Sequence, residues 1–327
     1  MGDACGIGPE IIAAWFRSAD AGSAFVVGDV AVMRRAVGFT GGLLPVARID
    51  APDDAAALPA GCIPVLQADG VAPDLIDAPL GRVDARAGAA AARCIEQAVA
   101  IVAAGAAAAI VTAPIHKEAF AAAGIGYPGH TEMLQALAAG PGAPAPPVRM
   151  MLANDELRVV LVTIHLSLRR AIDALSEQGI VDTLAITHAA GLRFGLAAPR
   201  IAVAGLNPHA GEHGLFGREE EVAIAPAIAA CRDRRIDVSG PFPADTLFVR
   251  AARGEFDVVI ACYHDQGLIP VKLVAFGQAV NLTLGLPIVR TSVDHGTAFD
   301  IAGKGVADPG SMIAAVRLAA KLCRDTR

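Results

Sequence analysis

Three apolar runs in this chain lead into a histidine: "VVLVTI" into His165, "IAVAGLNP" into His209 and "VVIACY" into His264. Imidazole is the commonest metal-binding side chain, and three of them on one divalent cation leave positions open for a substrate. The three lie dozens of residues apart, unlike a helical pair at i and i+4, so a fold must gather them. Taken singly, each also fits a hydrogen-bonded loop residue. The shared setting brings the metal site level with that alternative. His116, beside Lys117, and His188 have no such setting and read as structural or surface residues; His213, in a glycine-rich loop, fits either reading.

A second group suits a small anion. In "YPGHTE" (127 to 132), His130 and Thr131 follow a Pro-Gly turn and precede an Ala/Leu helix. Helix N-termini attract anions, although a threonine there is also an ordinary cap. Lys272, Asn281 and Arg290 fall in what reads as the last strand region, a segment nearly free of charge. A cation in such a place needs a partner, either a bound carboxylate or phosphate or an internal carboxylate such as Asp265 or Asp294. "GDACGIGPE" reads as a tight loop entering a helix with Pro9 in its first turn. No G-x-G-x-x-G directly follows an expected strand, and there is no Walker loop, so the usual doubly wound mode of nucleotide binding is not indicated.

These residues need elements to hold them. Strands are expected in "AFVVGD" (24 to 29), "AAIVTAPIHK" (108 to 117), "LRVVLVTIHL" (157 to 166), "RIAVAGLNPHAGE" (200 to 212), "DVVIACYHDQG" (257 to 267) and "AVNLTLGLPIVRTS" (279 to 292). Alanine-rich helical segments lie between most of them, as at 87 to 104, 170 to 190 and 219 to 231. Strands alternating with helices imply an α/β fold with a largely parallel sheet, and the continuous apolar runs imply strands buried on both faces. In such a sheet ligands bind beyond the carboxyl ends of the strands, where the histidines fall. The chain of 327 residues fits two domains or one large α/β unit with a cleft. The Pro/Gly-rich stretch 139 to 147 is either the passage between two lobes or a long surface turn.

Composition narrows the class. The chain is 54% hydrophobic and only 4% aromatic, so its interior must be built from Ala, Val, Leu and Ile. A net charge of −6 without a basic stripe speaks against nucleic acid. The uncharged run 97 to 115 is interrupted by Gly105 and closes on Pro114; helix, cap and buried strand explain it better than a membrane span. Six scattered cysteines form no Cys-x-x-Cys pair, which suits a reducing cytoplasm, and the N-terminus does not read as a signal peptide.

"GDACGIGPE", "TAPIHKEAFAAAGIGYPGHTE", "GLNPHAGEHGLFGREEE", "GPFPADTLF", "YHDQGLIPVK" and "VNLTLGLPIVRTSVDHGTAFDIAGKGVADPGSM" resemble, in order, the motifs of the 4-hydroxythreonine-4-phosphate dehydrogenase family of vitamin B6 biosynthesis. The resemblance implies a two-domain α/β/α fold of the isocitrate and isopropylmalate dehydrogenase kind with largely parallel central sheets. It implies one domain from 1–128 plus 285–327, a second from 129–284, and a cleft between them. It implies a homodimer with shared active sites, and His165, His209 and His264 as ligands of one divalent metal: zinc, cobalt, nickel, magnesium or manganese. His130, Thr131, Lys272, Asn281 and Arg290 match the substrate-binding positions, and Asp294, His295 and Gly296 would hold NAD, with NADP as an alternative.

The implied reaction is oxidation of 4-phosphohydroxy-L-threonine at its 3-hydroxyl with decarboxylation to 3-amino-2-oxopropyl phosphate. Lys272 would align the substrate, and Asp265 is the candidate base. Three alternatives remain: oxidation of 4-phospho-D-threonate or 4-phospho-D-erythronate; from another class, a three-histidine metal hydrolase; and a related fold used for acyl transfer or plain ligand binding. The Gly129–Glu132 run resembles the members acting on phosphorylated substrates and argues against another branch of the family, which oxidises an unphosphorylated aromatic dihydrodiol. The chain departs from the family pattern in carrying Ala4-Cys5 for Pro-Ala and in starting without the short strand expected before "GDACGIGPE". Either the start is late or the sheet lacks an element.

Overall fold

The computed structural model describes residues 1–18, 24–139, 142–275 and 277–324. The chain divides into two compact units, Met1–Pro146 with Leu286–Ala320, and Pro147–Gly285 with the residues from Lys321 onward. The sequence places the first break at 128/129, whereas the backbone changes unit at Pro146–Pro147, so His130 and Thr131 belong to the first unit. That change falls at the end of the Pro/Gly-rich stretch 139 to 147, of which residues 140 and 141 lie outside the described residues.

The first unit opens with α1 (Gly8–Phe16), β1 (Val26–Gly28), α2 (Val30–Phe39), β2 (Val46–Ile49), β3 (Ile63–Gln67), α3 (Ala85–Ala103), β4 (Ala109–Thr112), α4 (Lys117–Ala122) and α5 (His130–Ala139). The second contains β5 (Arg149–Ala153), β6 (Arg158–Leu161), α6 (Leu168–Ala174), α7 (Glu177–Gly191), β7 (Ile201–Ala204), α8 (Ala225–Asp233), β8 (Val238–Phe242), α9 (Ala244–Ala252), β9 (Val258–Ala261), α10 (His264–Ala275) and β10 (Val280–Leu284). The chain then returns to the first unit with β11 (Val289–Val293) and continues into α11 (Gly310–Arg324).

Local chemistry accounts for many of these boundaries. Asp29 and Asp84 accept backbone N–H groups at the starts of α2 and α3, and Ser176 does so for α7. That cap splits the single helix expected over 170 to 190 into α6 and α7. The run 97 to 115 resolves into the end of α3, Gly105 and β4, and no helix among the described residues is long and apolar enough to cross a membrane.

In the first unit β1 and β2 flank β3, all parallel, and β4 pairs parallel with β11. In the second unit the strand order is β10-β5-β6-β9-β7-β8. The pairs involving β5 are antiparallel and the other three are parallel. Each unit has its own aliphatic core. Ile11, Met33, Ile63 and Val65 centre one, and Leu152, Val159, Val259 and Val271 the other. The alanine content serves close packing: Ala87, Ala90, Ala91 and Ala92 are buried along α3.

Where α3 crosses α4, a Cβ on Gly88 would stand 2.1 Å from the Ala119 carbonyl oxygen. In an unconstrained helix Gly→Ala stabilises by about 0.5–1 kcal/mol. Here the two helices would have to separate, and overpacking of this kind costs about 1–3 kcal/mol. Gly88→Ala should therefore lower the urea midpoint; a raised midpoint would show that the helices part freely.

Candidate functional site

The three histidine segments leave three neighbouring parallel strands. β9 lies between β6 and β7, with Leu161 level with Ala261 and Val203 level with Ile260. All four residues of β7 and of β9 are buried, which fixes the strands on both faces and points their carboxyl ends the same way.

Hydrogen bonds lock those ends together. Val162 and Thr163 donate their backbone N–H groups to the carbonyls of Ala261 and Cys262, and the Thr163 hydroxyl also donates to Cys262 at 2.9 Å. Gln266 works on the other side: its Oε1 accepts the Cys262 N–H at 2.7 Å and its Nε2 donates to the Gly205 carbonyl at 2.7 Å. One amide thus ties the exit of β9 to the exit of β7.

His165 takes a left-handed backbone, φ 53°, four residues past β6. His264 is the first residue of α10, and its ring lies 5.8 Å, centroid to centroid, from that of His165. Two imidazoles sharing a zinc at about 2.1 Å would have centroids roughly 5 Å apart, so this pair suits a common cation. Asp265 sits 2.7 Å from His264 Nδ1, a carboxylate–imidazole contact of the kind that orients a metal-binding ring while leaving the other ring nitrogen to the cation. The carboxylate offered from sequence as the base is therefore engaged with its neighbour's ring.

His209, φ 52°, lies in a short turn, Pro208–Gly211, with its ring 5.9 Å from that of Phe216. Among the described residues of the single chain, no three His, Cys, Asp or Glu side chains gather closely enough to hold a metal. The strand order brings the three segments to one edge, and the side chains of two of the histidines meet.

The "GLNPHAGEHGLFGREEE" motif is the scaffold of the His209 turn. Buried Glu220 accepts from the Asn207 backbone N–H at 2.7 Å and from its Nδ2 at 2.9 Å, while Glu219 takes the same Nδ2 at 2.7 Å. The loop is folded around its own acidic tail.

Lys272 and Asn281 also belong to the second unit. Lys272 is not on a strand as expected from sequence: it rides half-buried on α10, because Leu268, Val271 and Ala275 bury one face of 264–275 and make it helical despite Pro270. Asn281 is half-buried on β10.

The first unit holds the remaining residues. Arg290, on β11, is 4% exposed and donates from Nη2 to Thr112 Oγ1 at 2.7 Å. Burial pushes its guanidinium down to about 10, opposed by the nearby Glu132 carboxylate. His130 opens α5 with Thr131 beside it. Burial, the Arg290 guanidinium and the N-terminal ammonium hold His130 well below the ordinary histidine value. A buried guanidinium beside the start of a helix suits an anion, although the Glu132 carboxylate of the same first turn already offsets part of that charge.

Asp294, His295 and Gly296 follow β11 on a segment running to α11, with His295 and Gly296 exposed. The Asp294 N–H donates to Ser311 Oγ at 3.2 Å. Gly124–Gly129 does have the G-x-G-x-x-G spacing, but it follows helix α4 instead of a strand, so it lacks the fingerprint's setting.

Several participants escaped the sequence. Thr112, Gln266, Asn207 and Glu220 are ordinary polar residues whose roles exist only through distant partners. His116 read as structural or surface; its ring stacks on Phe299 at 4.6 Å with planes 12° apart, against the segment that carries His295.

The model of the family described as "Pyridoxal phosphate biosynthetic protein PdxA" matches residues 20–319. A 4-hydroxythreonine-4-phosphate dehydrogenase from Beijerinckia indica is 51% identical over 329 residues, 98% of this chain and 93% of that protein. A D-threonate 4-phosphate dehydrogenase from Cupriavidus necator is 48% identical over 327 residues, 98% of this chain and 95% of that one. The crystal structure of 4-hydroxythreonine-4-phosphate dehydrogenase from Klebsiella pneumoniae superposes with a TM-score of 0.90 at 42% identity, covering 99% of this chain and 98% of that chain.

The state of His130 has a measurable consequence. The unfolded chain takes up a proton below about pH 6.5 that the folded chain resists, so stability is present above that pH and is lost as pH falls towards the lower folded value. The slope is at most about 1.4 kcal/mol per pH unit. Between pH 7.5 and 5.0 the urea midpoint of the wild type should fall further than that of His130→Asn; equal losses would remove the histidine as the cause.

Proposed function

Because the chain belongs to the PdxA family of pyridoxal phosphate biosynthetic proteins, we propose that it oxidises 4-phosphohydroxy-L-threonine at the 3-hydroxyl, using NAD and one divalent metal, with loss of carbon dioxide to give 3-amino-2-oxopropyl phosphate. The observation that carries the proposal is the set of three adjacent parallel strands, β6, β9 and β7, each followed at the same edge by a histidine. The enzyme is a dehydrogenase, as its near relatives are named.

The chain's residues divide the work. Arg290, His130 and Thr131 receive the phosphate, where a fixed guanidinium and an uncharged ring favour a bound anion. Lys272 and Asn281 hold the substrate's other polar end and align its C–H bond. His165, His209 and His264 are the metal ligands, with Asp265 orienting His264. When bound, the cation supplies Lewis-acid polarisation of the substrate oxygen and the dinucleotide supplies the hydride acceptor. Asp294, His295 and Gly296 lie on the segment we assign to NAD, with NADP the alternative.

The metal set is completed in a homodimer. Large apolar side chains stand exposed beside each histidine segment: Leu166 and Leu168 after His165, Leu215 and Phe216 after His209, Ile269 and Leu273 after His264. Leu273 is 84% exposed, a costly position for a leucine unless a second copy covers it. Cys5, Cys62, Cys94, Cys231 and Cys262 are free thiols, which fits a cytoplasmic enzyme.

The Cupriavidus relative, named for D-threonate 4-phosphate, favours a second reading, oxidation of 4-phospho-D-threonate; 4-phospho-D-erythronate belongs to the same reading. Purified protein with NAD, a divalent metal and each phosphorylated acid separates the two through the appearance of reduced nicotinamide. Turnover of phosphohydroxythreonine supports the first, turnover of the sugar acids alone supports the second, and phosphate release without reduction would indicate a hydrolase.

Arg290→Ala should raise KM for the phosphorylated acid by about ten- to a hundredfold, since a charge-assisted bond contributes about 1.5–3 kcal/mol; an unchanged KM would exclude the contact. Leu273→Asp should shift the protein to monomer in sedimentation and lower bound metal as far as His209→Ala does. A monomeric variant that keeps its metal would place the whole cation site within one chain.

A further inference from the structure

Between β11 and α11 the chain runs from 294 to 309 without helix or strand. Loops of that length inside a compact unit are uncommon and are usually functional. This one is held from outside. Glu10, in the first turn of α1 and 2% exposed, accepts the backbone N–H of Gly303 at 2.5 Å and that of Gly305 at 2.9 Å. The Ile7 N–H donates to the Thr297 carbonyl at 3.0 Å, and Phe299 stacks on His116.

A buried carboxylate is costly unless its oxygens are satisfied. Two amide donors, one on each oxygen, and a position at a helix N-terminus offset that cost. The loop's geometry depends on the arrangement. Gly303 and Gly305 have φ of 81° and 66°, and a Cβ on Gly305 would stand 2.1 Å from the Phe39 carbonyl oxygen. Glycine adopts a left-handed backbone without steric cost but has many other conformations open to it, and Glu10 narrows them by gripping both sides of Lys304.

We propose that Glu10 is a positioning residue for dinucleotide binding: by fixing the far end of the 294–309 segment it holds the exposed His295 and Gly296 ready for the nucleotide, so that binding does not have to order the loop. The inference rests on the assignment of that segment to NAD. Glu10 does not touch the reacting atoms and acts only through the loop.

Glu10→Gln is nearly isosteric but turns one acceptor into a donor facing a glycine N–H. In the cofactor-free protein, amide exchange over 297–305 should rise in the variant while the rest of the molecule is unchanged. KM for NAD should rise about tenfold, the loss expected for one charge-assisted bond. KM for the phosphorylated acid and kcat at saturating NAD should stay within about twofold. Unaltered exchange would overturn the tether. Faster exchange with an unchanged KM for NAD would overturn the positioning role, as would equal losses in both KM values and kcat, which mark general destabilisation.

Should the variant fail to fold, exchange in the wild type decides: added NAD should protect 297–305 further, and no added protection overturns the inference. A wild type that reduces NAD with none of the acids yet shows this protection would sink the proposed reaction and leave the role of Glu10 standing.

Discussion

The backbone ladder between β9 and its parallel neighbours β6 and β7 is the constraint on which the histidine edge depends. Strands adjacent in a parallel sheet lie about 4.8 Å apart and end on the same side, so residues remote in sequence leave the sheet together. The four side chains of β9 are buried on both faces, and a slip in register would break this packing as well as the ladder. Gln266 and Thr163 extend the constraint past the last ladder bonds by binding carbonyls of neighbouring segments. The left-handed backbones at His165 and His209 are strained conformations for residues with a Cβ, and surroundings this firmly fixed can maintain them.

The first unit solves a different problem, keeping a cation out of water. Arg290 is buried against Thr112 with the Glu132 carboxylate nearby, and burial first and the Arg290 charge second favour the uncharged form of His130. A second positive group there would repel the first. The result is a place where an anion replaces lost hydration, while the imidazole offers hydrogen bonds without adding charge.

Much of this was legible in the sequence, for physical reasons. Each expected β-branched run contains a strand, because a strand buried on both faces must be continuously apolar. The hidden strands lack that signature: β5 is "RMMLA", β3 carries Pro64, and β8, with Gly240 and Pro241, is an edge strand where such residues are tolerated. The run 279 to 292 looks single but becomes β10 and β11, separated by Gly285–Pro287 and belonging to different units. α10 is concealed by Gly267 and Pro270, both poor helix residues, whose cost the burial of Leu268, Val271 and Ala275 overrides. The types of the site residues could be read from motifs. Their partners could not, because bonds such as Glu10 to Gly303 join residues 293 positions apart.

Only Cys262 and Tyr263 separate β9 from α10, and His264 and Lys272 ride on that same helix. Their separation is thus set as on a ruler, eight steps of about 1.5 Å along the axis and about 100° of rotation per step. Swapping a side chain between them leaves that scale intact. Inserting or deleting a single residue would swing the lysine about a quarter turn around the axis, so the length of this stretch is as much a part of the site as its side chains.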